Sequence, residues 1–84
     1  MQYKIKQPII RDDGVWSNGY DDGEPDFQQC NADEYVISGG GQCQWPSVTF
    51  LSVPRFEWNG WSHDCTGGGN SSSAHAFAVC MKRQ

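Results

Sequence analysis

Ala74-His75-Ala76-Phe77-Ala78-Val79-Cys80-Met81 (AHAFAVCM) alternates small and large side chains without a break. Ala74, Ala76, Ala78 and Cys80 fall on one side of an extended chain, and His75, Phe77, Val79 and Met81 on the other. A period of two is the signature of a β-strand, because successive Cβ atoms point to opposite faces. The alanine side lets a second layer approach closely. The bulkier side is expected to supply core.

Outward from this strand, the rest of the chain reads in the same way. Residues 48–53 (VTFLSV) form a second β-rich run, ended by Pro54, and residues 35–37 (YVI) a third, stopped by three glycines at 39–41. Phe56 to Trp58 and Trp61 to His63 flank Asn59-Gly60, the strongest short hairpin signal. In that register Trp58 faces Trp61 and Phe56 faces His63. Tyr3 and Ile5 alternate with Lys4 and Lys6, which suits a short edge strand. Residues 11–26 hold five aspartates and one glutamate among turn residues, and predict a long surface loop. Ten glycines and four prolines disfavour helix. The expectation is an all-β module, a small β-sandwich or sheet of five to six short strands.

Eighty-four residues make a single small domain. Such a chain buries roughly 60–65% of its unfolded surface, so its core is thin. Cys30, Cys43, Cys65 and Cys80 are an even set in a short glycine-rich chain, which favours disulfides and an oxidising, extracellular setting. Three pairings exist. Cys30 with Cys43 and Cys65 with Cys80 is the expected one, because each bridge would staple neighbouring strands across a loop. Each would contribute on the order of 3 kcal/mol, against a total stability of about 5–10 kcal/mol.

The net charge of -4, with six basic residues, gives no stripe for nucleic acid. No apolar run approaches the ~20 residues a membrane helix needs. The start, MQYKIKQPII, shows no apolar signal-peptide core, so the chain is expected to be a fragment or to travel by another route.

Several residue sets bear chemistry. The cysteines with His63, Asp64 and His75 offer zinc ligand types, but no Cys-x-x-Cys knuckle is present. Asp21, Asp22, Glu24 and Asp26 offer oxygens to calcium without the EF-hand spacing. Residues 39–41 lack the lysine and following helix of a phosphate loop. Ser62, His63 and Asp64, or His75 with the serines at 71–73, supply triad residue types without implying a triad. The expectation is a non-enzymatic protein without cofactors. Four tryptophans, Trp16, Trp45, Trp58 and Trp61, are too many for so thin a core. Aromatic faces stack on the C–H faces of sugars, and nearby Gln42, Gln44, Arg55, Asn59, His63 and Asp64 bind hydroxyls. The expected ligand-binding set is Trp58, Trp61, His63, Asp64, Arg55 and Trp45, with His63 and Asp64 at or near the surface.

The order of these pieces resembles a family. Cys30 leads to Tyr35-Val36-Ile37-Ser38-Gly39-Gly40-Gly41 and then Cys43; Ser52-Val53-Pro54 ends a strand; Gly60-Trp61 precedes Cys65; Ala78-Val79-Cys80-Met81 closes the chain. This resembles the C-terminal tip modules of bacterial and phage adhesive fibres, including tail-fibre-like trimers and the exchangeable tips of conjugative pilus adhesins. The resemblance implies a disulfide-bonded β tip over residues 30–84 that touches surface glycan, with residues 1–29 an irregular segment joining tip to shaft. It implies a homotrimer at a cell surface or virion fibre tip. The alanine face, or Tyr3, Ile5, Ile9 and Ile10, would lie on the trimer axis. The alternatives are a trimerisation cap without a ligand and a small protein-binding disulfide module.

Overall fold

The structure, a computed structural model, describes residues 7–18, 26–69 and 72–83. It is an all-β, disulfide-bonded module, as its sequence predicts. Among these residues seven strands run in the order β1 (Ile9–Arg11), β2 (Ser17–Asn18), β3 (Asp26–Gln29), β4 (Glu34–Cys43), β5 (Val48–Arg55), β6 (Gly60–Thr66) and β7 (Ser73–Lys82). Among the described residues the helical content is one 3-10 turn, Phe56–Trp58. No helix there is long and apolar enough to cross a membrane.

Two antiparallel sheets form. In the first, β7 is central: β4 pairs along one edge, and β1 and β2 share the other end to end. The second has the order β3-β6-β5. The alanine side of β7 faces the second sheet. Ala74, Ala76, Ala78 and Cys80 are completely buried there. This corrects two expectations. The bulkier side is not the core, since Phe77, Val79 and Met81 are only half-buried. Nor is the alanine side free for a trimer axis, since one chain already covers it. Of the alternative axis residues, Tyr3 and Ile5, like the strand expected at residues 2–6, lie outside the described residues; Ile9 is half-buried and Ile10 exposed.

The three glycines do not end a strand; β4 runs straight through them. A Cβ at Gly39 would lie 2.3 Å from the Trp61 ring, and one at Gly41 2.4 Å from the His63 ring. Small residues on β4 and β7 thus leave room for two large rings of β6. A β-bulge makes this possible. The register shifts between Val36 and Ser38, leaving Ile37 as an unpaired extra residue that points outward. The bulge inverts the facing of the rest of β4, so that Gly39, Gly41 and Cys43 pair with the inward-facing Ala78, Ala76 and Ala74.

The disulfides join Cys30 to Cys80 and Cys43 to Cys65. The expected neighbour pairing is therefore incorrect. Cys30 follows β3 and Cys65 lies on β6, in the second sheet, whereas Cys43 and Cys80 lie in the first. Each bridge crosses between the layers rather than along one. Loops of 50 and 22 residues are closed, which the chain-entropy account values at about 4 and about 3 kcal/mol. Around the first bridge lies the apolar cluster of Cys30, Val36, Ala78 and Cys80, with Trp61 packed against it.

Strands before Cys30 take part in both sheets. β1 and β2 are edge strands on β7, and β3 belongs to the second sheet and runs directly into Cys30. The expected loop over 11–26 is likewise interrupted, irregular at 12–16 but paired at Ser17–Asn18 and again from Asp26. Among the described residues no strand pairs with the edge of β7 between β1 and β2. Asp26 fills the gap: its Oδ2 accepts the Ala76 N–H at 2.7 Å, and its Oδ1 accepts the Ser17 hydroxyl at 2.8 Å. The buried carboxylate of Glu34 is satisfied by Arg11, whose Nε donates at 3.0 Å and whose Nη2 reaches the second oxygen, and by the Asn31 N–H at 3.0 Å. Arg11 holds the Glu34 carboxyl below its ordinary range.

Candidate functional site

The expected binding residues are distributed over different surfaces. β5 extends through Pro54 to Arg55, and the link to β6 is a four-residue loop rather than the expected two-residue turn. Pro54 is tolerated because β5 is an edge strand. The loop ends at Asn59, which is left-handed with φ 54°. Its side chain fixes it to β4: Oδ1 accepts the Val36 N–H at 2.9 Å, and Nδ2 donates to the Glu34 carbonyl at 2.9 Å.

This separates the two tryptophans that the hairpin reading placed face to face. Trp58 lies outside, 59% exposed, with its ring edge-on to Phe27 at 6.2 Å. Trp61 points between the sheets, covers Gly39 and donates from Nε1 to Ser52 Oγ at 2.9 Å. The expected Phe56–His63 pairing is absent too: Phe56 is exposed, and His63 pairs with Ser52 and Asp26.

His63 is 3% exposed, which corrects its expected surface position. It faces inward because β6 alternates Trp61, His63 and Cys65 toward the first sheet. Its Nδ1 lies 3.0 Å from Ser52 Oγ, and burial lowers its pKa. A neutral His63 accepts from the Ser52 hydroxyl, which itself accepts from Trp61. Serine and histidine thus serve as an internal bridge between β5 and β6. Asp64, half-buried, accepts its neighbour's N–H, Cys65, at 2.9 Å. Ser62 sits on the opposite face from His63, 3.3 Å from the Arg55 Nε that donates to it. The sulfurs of Cys43 and Cys65 approach His63, and those of Cys30 and Cys80 approach Glu34. All four are spent in disulfides, so neither group offers thiolates to a metal. Of the acidic set, Asp26 is buried and used internally; Asp21, Asp22 and Glu24 lie outside the described residues.

Trp45 is the most exposed aromatic among the described residues, at 86%. It sits in the β4–β5 turn beside a cis bond to Pro46, and the turn is closed by Ser47 N–H to the Gln44 carbonyl at 2.8 Å. Trp45 and Trp58 therefore stand at opposite ends of β5, separated by roughly 20–25 Å of strand.

At the Trp45 end the structure shows a feature outside the expected set. A cleft of about 350 Å³ is lined, among the described residues, by Trp16 and Gln44. Trp16 is 45% exposed and rests against the His75 ring, with centroids 5.1 Å apart. His75 is itself clamped. Its Nε2 lies 2.6 Å from Asp12 Oδ1 and its Nδ1 3.1 Å from the Val15 carbonyl. Both neighbours only accept hydrogen bonds, so the ring donates twice and is cationic; Asp12 raises its pKa accordingly. Asp12 and Asp13 in turn accept the N–H groups of Gly14 and Val15 at 2.9 Å. The aspartates at 12 and 13 thus order the loop that carries Trp16. The sequence signal was a tryptophan flanked by Asp, Gly and Asn turn residues, and nothing local shows that it meets a histidine fifty-nine positions away.

Comparison with family models, curated proteins and solved structures finds no match for this chain.

Proposed function

We propose that this is a non-enzymatic binding module whose outward-facing aromatic rings recognise cell-surface glycans, such as polysaccharide or lipopolysaccharide, at the tip of an adhesive fibre. One observation carries the reading. Trp16, Trp45 and Trp58 are all exposed on a scaffold whose interior is filled instead by alanine, glycine, cystine, Trp61 and His63. Indoles on a rigid surface are costly for solubility and useful for stacking. Two disulfides suit an oxidising site outside the cell. The fibre context rests on the order of motifs from Cys30 onward.

Tryptophan fluorescence during titration with bacterial polysaccharides tests this. A saturable shift is expected from the native protein. A triple variant, Trp16→Ala, Trp45→Ala and Trp58→Ala, should bind at least about 10-fold more weakly by calorimetry, the scale of losing a hot-spot aromatic. Its urea midpoint should stay near that of the native protein. Silence across a broad polysaccharide panel would remove the glycan reading.

A second reading is favoured by Val48, Phe50, Ile10 and Phe56, all well exposed as well. They suit a trimerisation cap in which these side chains meet other copies. Sedimentation equilibrium separates the two: a stable trimer without polysaccharide binding supports the cap.

A further inference from the structure

We propose that the cleft between Trp16 and Gln44 is a subsite for one neutral pyranose ring, at the end of the module opposite the first and last described residues. The inference rests on the glycan reading above and assigns it a place and a ligand class.

Three observations converge on this. The first is the wall. Trp16 has one side against His75, and nearly half of its surface is open. Its backing is fixed by the clamp of Asp12 and the Val15 carbonyl on His75. A ring held from behind stacks without losing conformational freedom on binding, which is the advantage of preorganisation. The cleft is also lined by Gln44, an exposed residue whose amide both donates and accepts, the pairing that a sugar hydroxyl requires. The cleft's volume is at the small end of ligand sites and suits a ring or two rather than an extended chain.

The second is charge. The protein carries a net -4. Arg11 and Lys82 are paired with Glu34 and Asp33; Arg55 and Arg83 meet only neutral partners, but they stand beside Gly60 and Glu34, at the other end of the sheets from Gln44. The positive charge of His75 is neutralised by Asp12. Uronates, sialates and phosphorylated sugars therefore meet no unpaired cation among the described residues that line this cleft.

The third is topology. Ile9 pairs with Cys80, and Lys82 with Glu34, so both ends of the described chain leave beside β4's first residues. Asn59 anchors the Trp58 loop to Glu34 and Val36 at that same end. Ser73, Ala74 and Cys43, which border the Trp16–Gln44 cleft in sequence and pairing, lie at the far end of β7. A module tethered through its first described residues presents this cleft outward and keeps Trp58 toward the tether.

Saturation-transfer NMR on the native protein provides the test, with methyl glycosides of glucose, galactose and mannose as neutral probes and glucuronate and sialic acid as acidic ones. Transfer to at least one neutral probe and to neither acidic probe is expected. Trp16→Ala should weaken binding about 10-fold or more, Gln44→Ala several-fold, and Trp58→Ala less than about 2-fold. Urea unfolding of each variant serves as the folding control. Gln44→Ala removes an exposed amide and keeps the test readable if Trp16→Ala is unstable. Preferential binding of the acidic sugars, or loss on Trp58→Ala without loss on Gln44→Ala, overturns the proposal. If polysaccharide shifts the fluorescence of the native protein but every small probe is silent, the cleft assignment fails while the glycan reading stands.

Discussion

At Gly39 the absence of a side chain decides how close two sheets come. The Trp61 ring occupies the space a Cβ would need, at 2.3 Å. Gly40, on the other face, has only the tip of Phe77 nearby, at 2.9 Å, and that ring is half-buried and free to swing. Gly39→Ala should therefore cost about 1–3 kcal/mol or more by overpacking. Gly40→Ala should cost little, since a smaller shift is offset in part by reduced freedom of the unfolded chain. Urea denaturation of the two variants checks the order; equal costs would mean that Trp61 is not wedged against β4. The same position shows what the sequence conceals. Three consecutive glycines read as a strand's end, because glycine weakens strands in isolation. Here it is the only residue that fits beneath the rings.

At the scale of elements, the bulge at Ile37 and the pairing of the cysteines are linked. Without the extra residue Cys43 would face outward and could not reach Cys65. Peptide mapping without reduction should recover Cys30 joined to Cys80 and Cys43 joined to Cys65. Recovery of Cys30 with Cys43 would refute the stapling of layer to layer. Replacing Cys30 and Cys80 together by serine should cost about 4 kcal/mol, and replacing Cys43 and Cys65 about 3 kcal/mol, on the chain-entropy account. Thermal melts in urea series would rank them. The even cysteine count made disulfides legible in the sequence. Their connectivity was not, because it depends on which layer each strand joins, and sequence neighbours here lie in different layers.

At the scale of the whole molecule, the two histidines pull stability in opposite directions with pH. His63 is buried neutral, with its pKa lowered by desolvation. Its contribution is complete above the unfolded value, ordinarily near 6.5, and is lost as pH falls below it. His75 has its pKa raised by Asp12. Its contribution is complete below the unfolded value and is lost as pH rises through the folded one. Across pH 5–8 the two trends oppose each other in the native protein. His75→Asn should make stability rise with pH over that range, and His63→Asn should make it fall. A His63→Asn variant whose midpoint does not decline toward pH 8 would show that the Asp12 clamp does not hold in solution. More acidic still, Glu34, Asp12 and Asp33, all with lowered pKa, lose their contributions together.

That this protein is β-rich, that β7 alternates, that its cysteines bridge and that its tryptophans exceed what a thin core can hold are all legible in the order and kinds of its residues. Those properties are written in local period and in composition, which need no knowledge of distant partners. Only the tertiary structure decided which side of β7 is the interior, which cysteines meet, that His63 is sealed and Trp58 is not, and that Trp16 stands on His75. Each of these depends on contacts between residues far apart in the chain, and on a single inserted residue at Ile37 that reverses the facing of everything after it in β4.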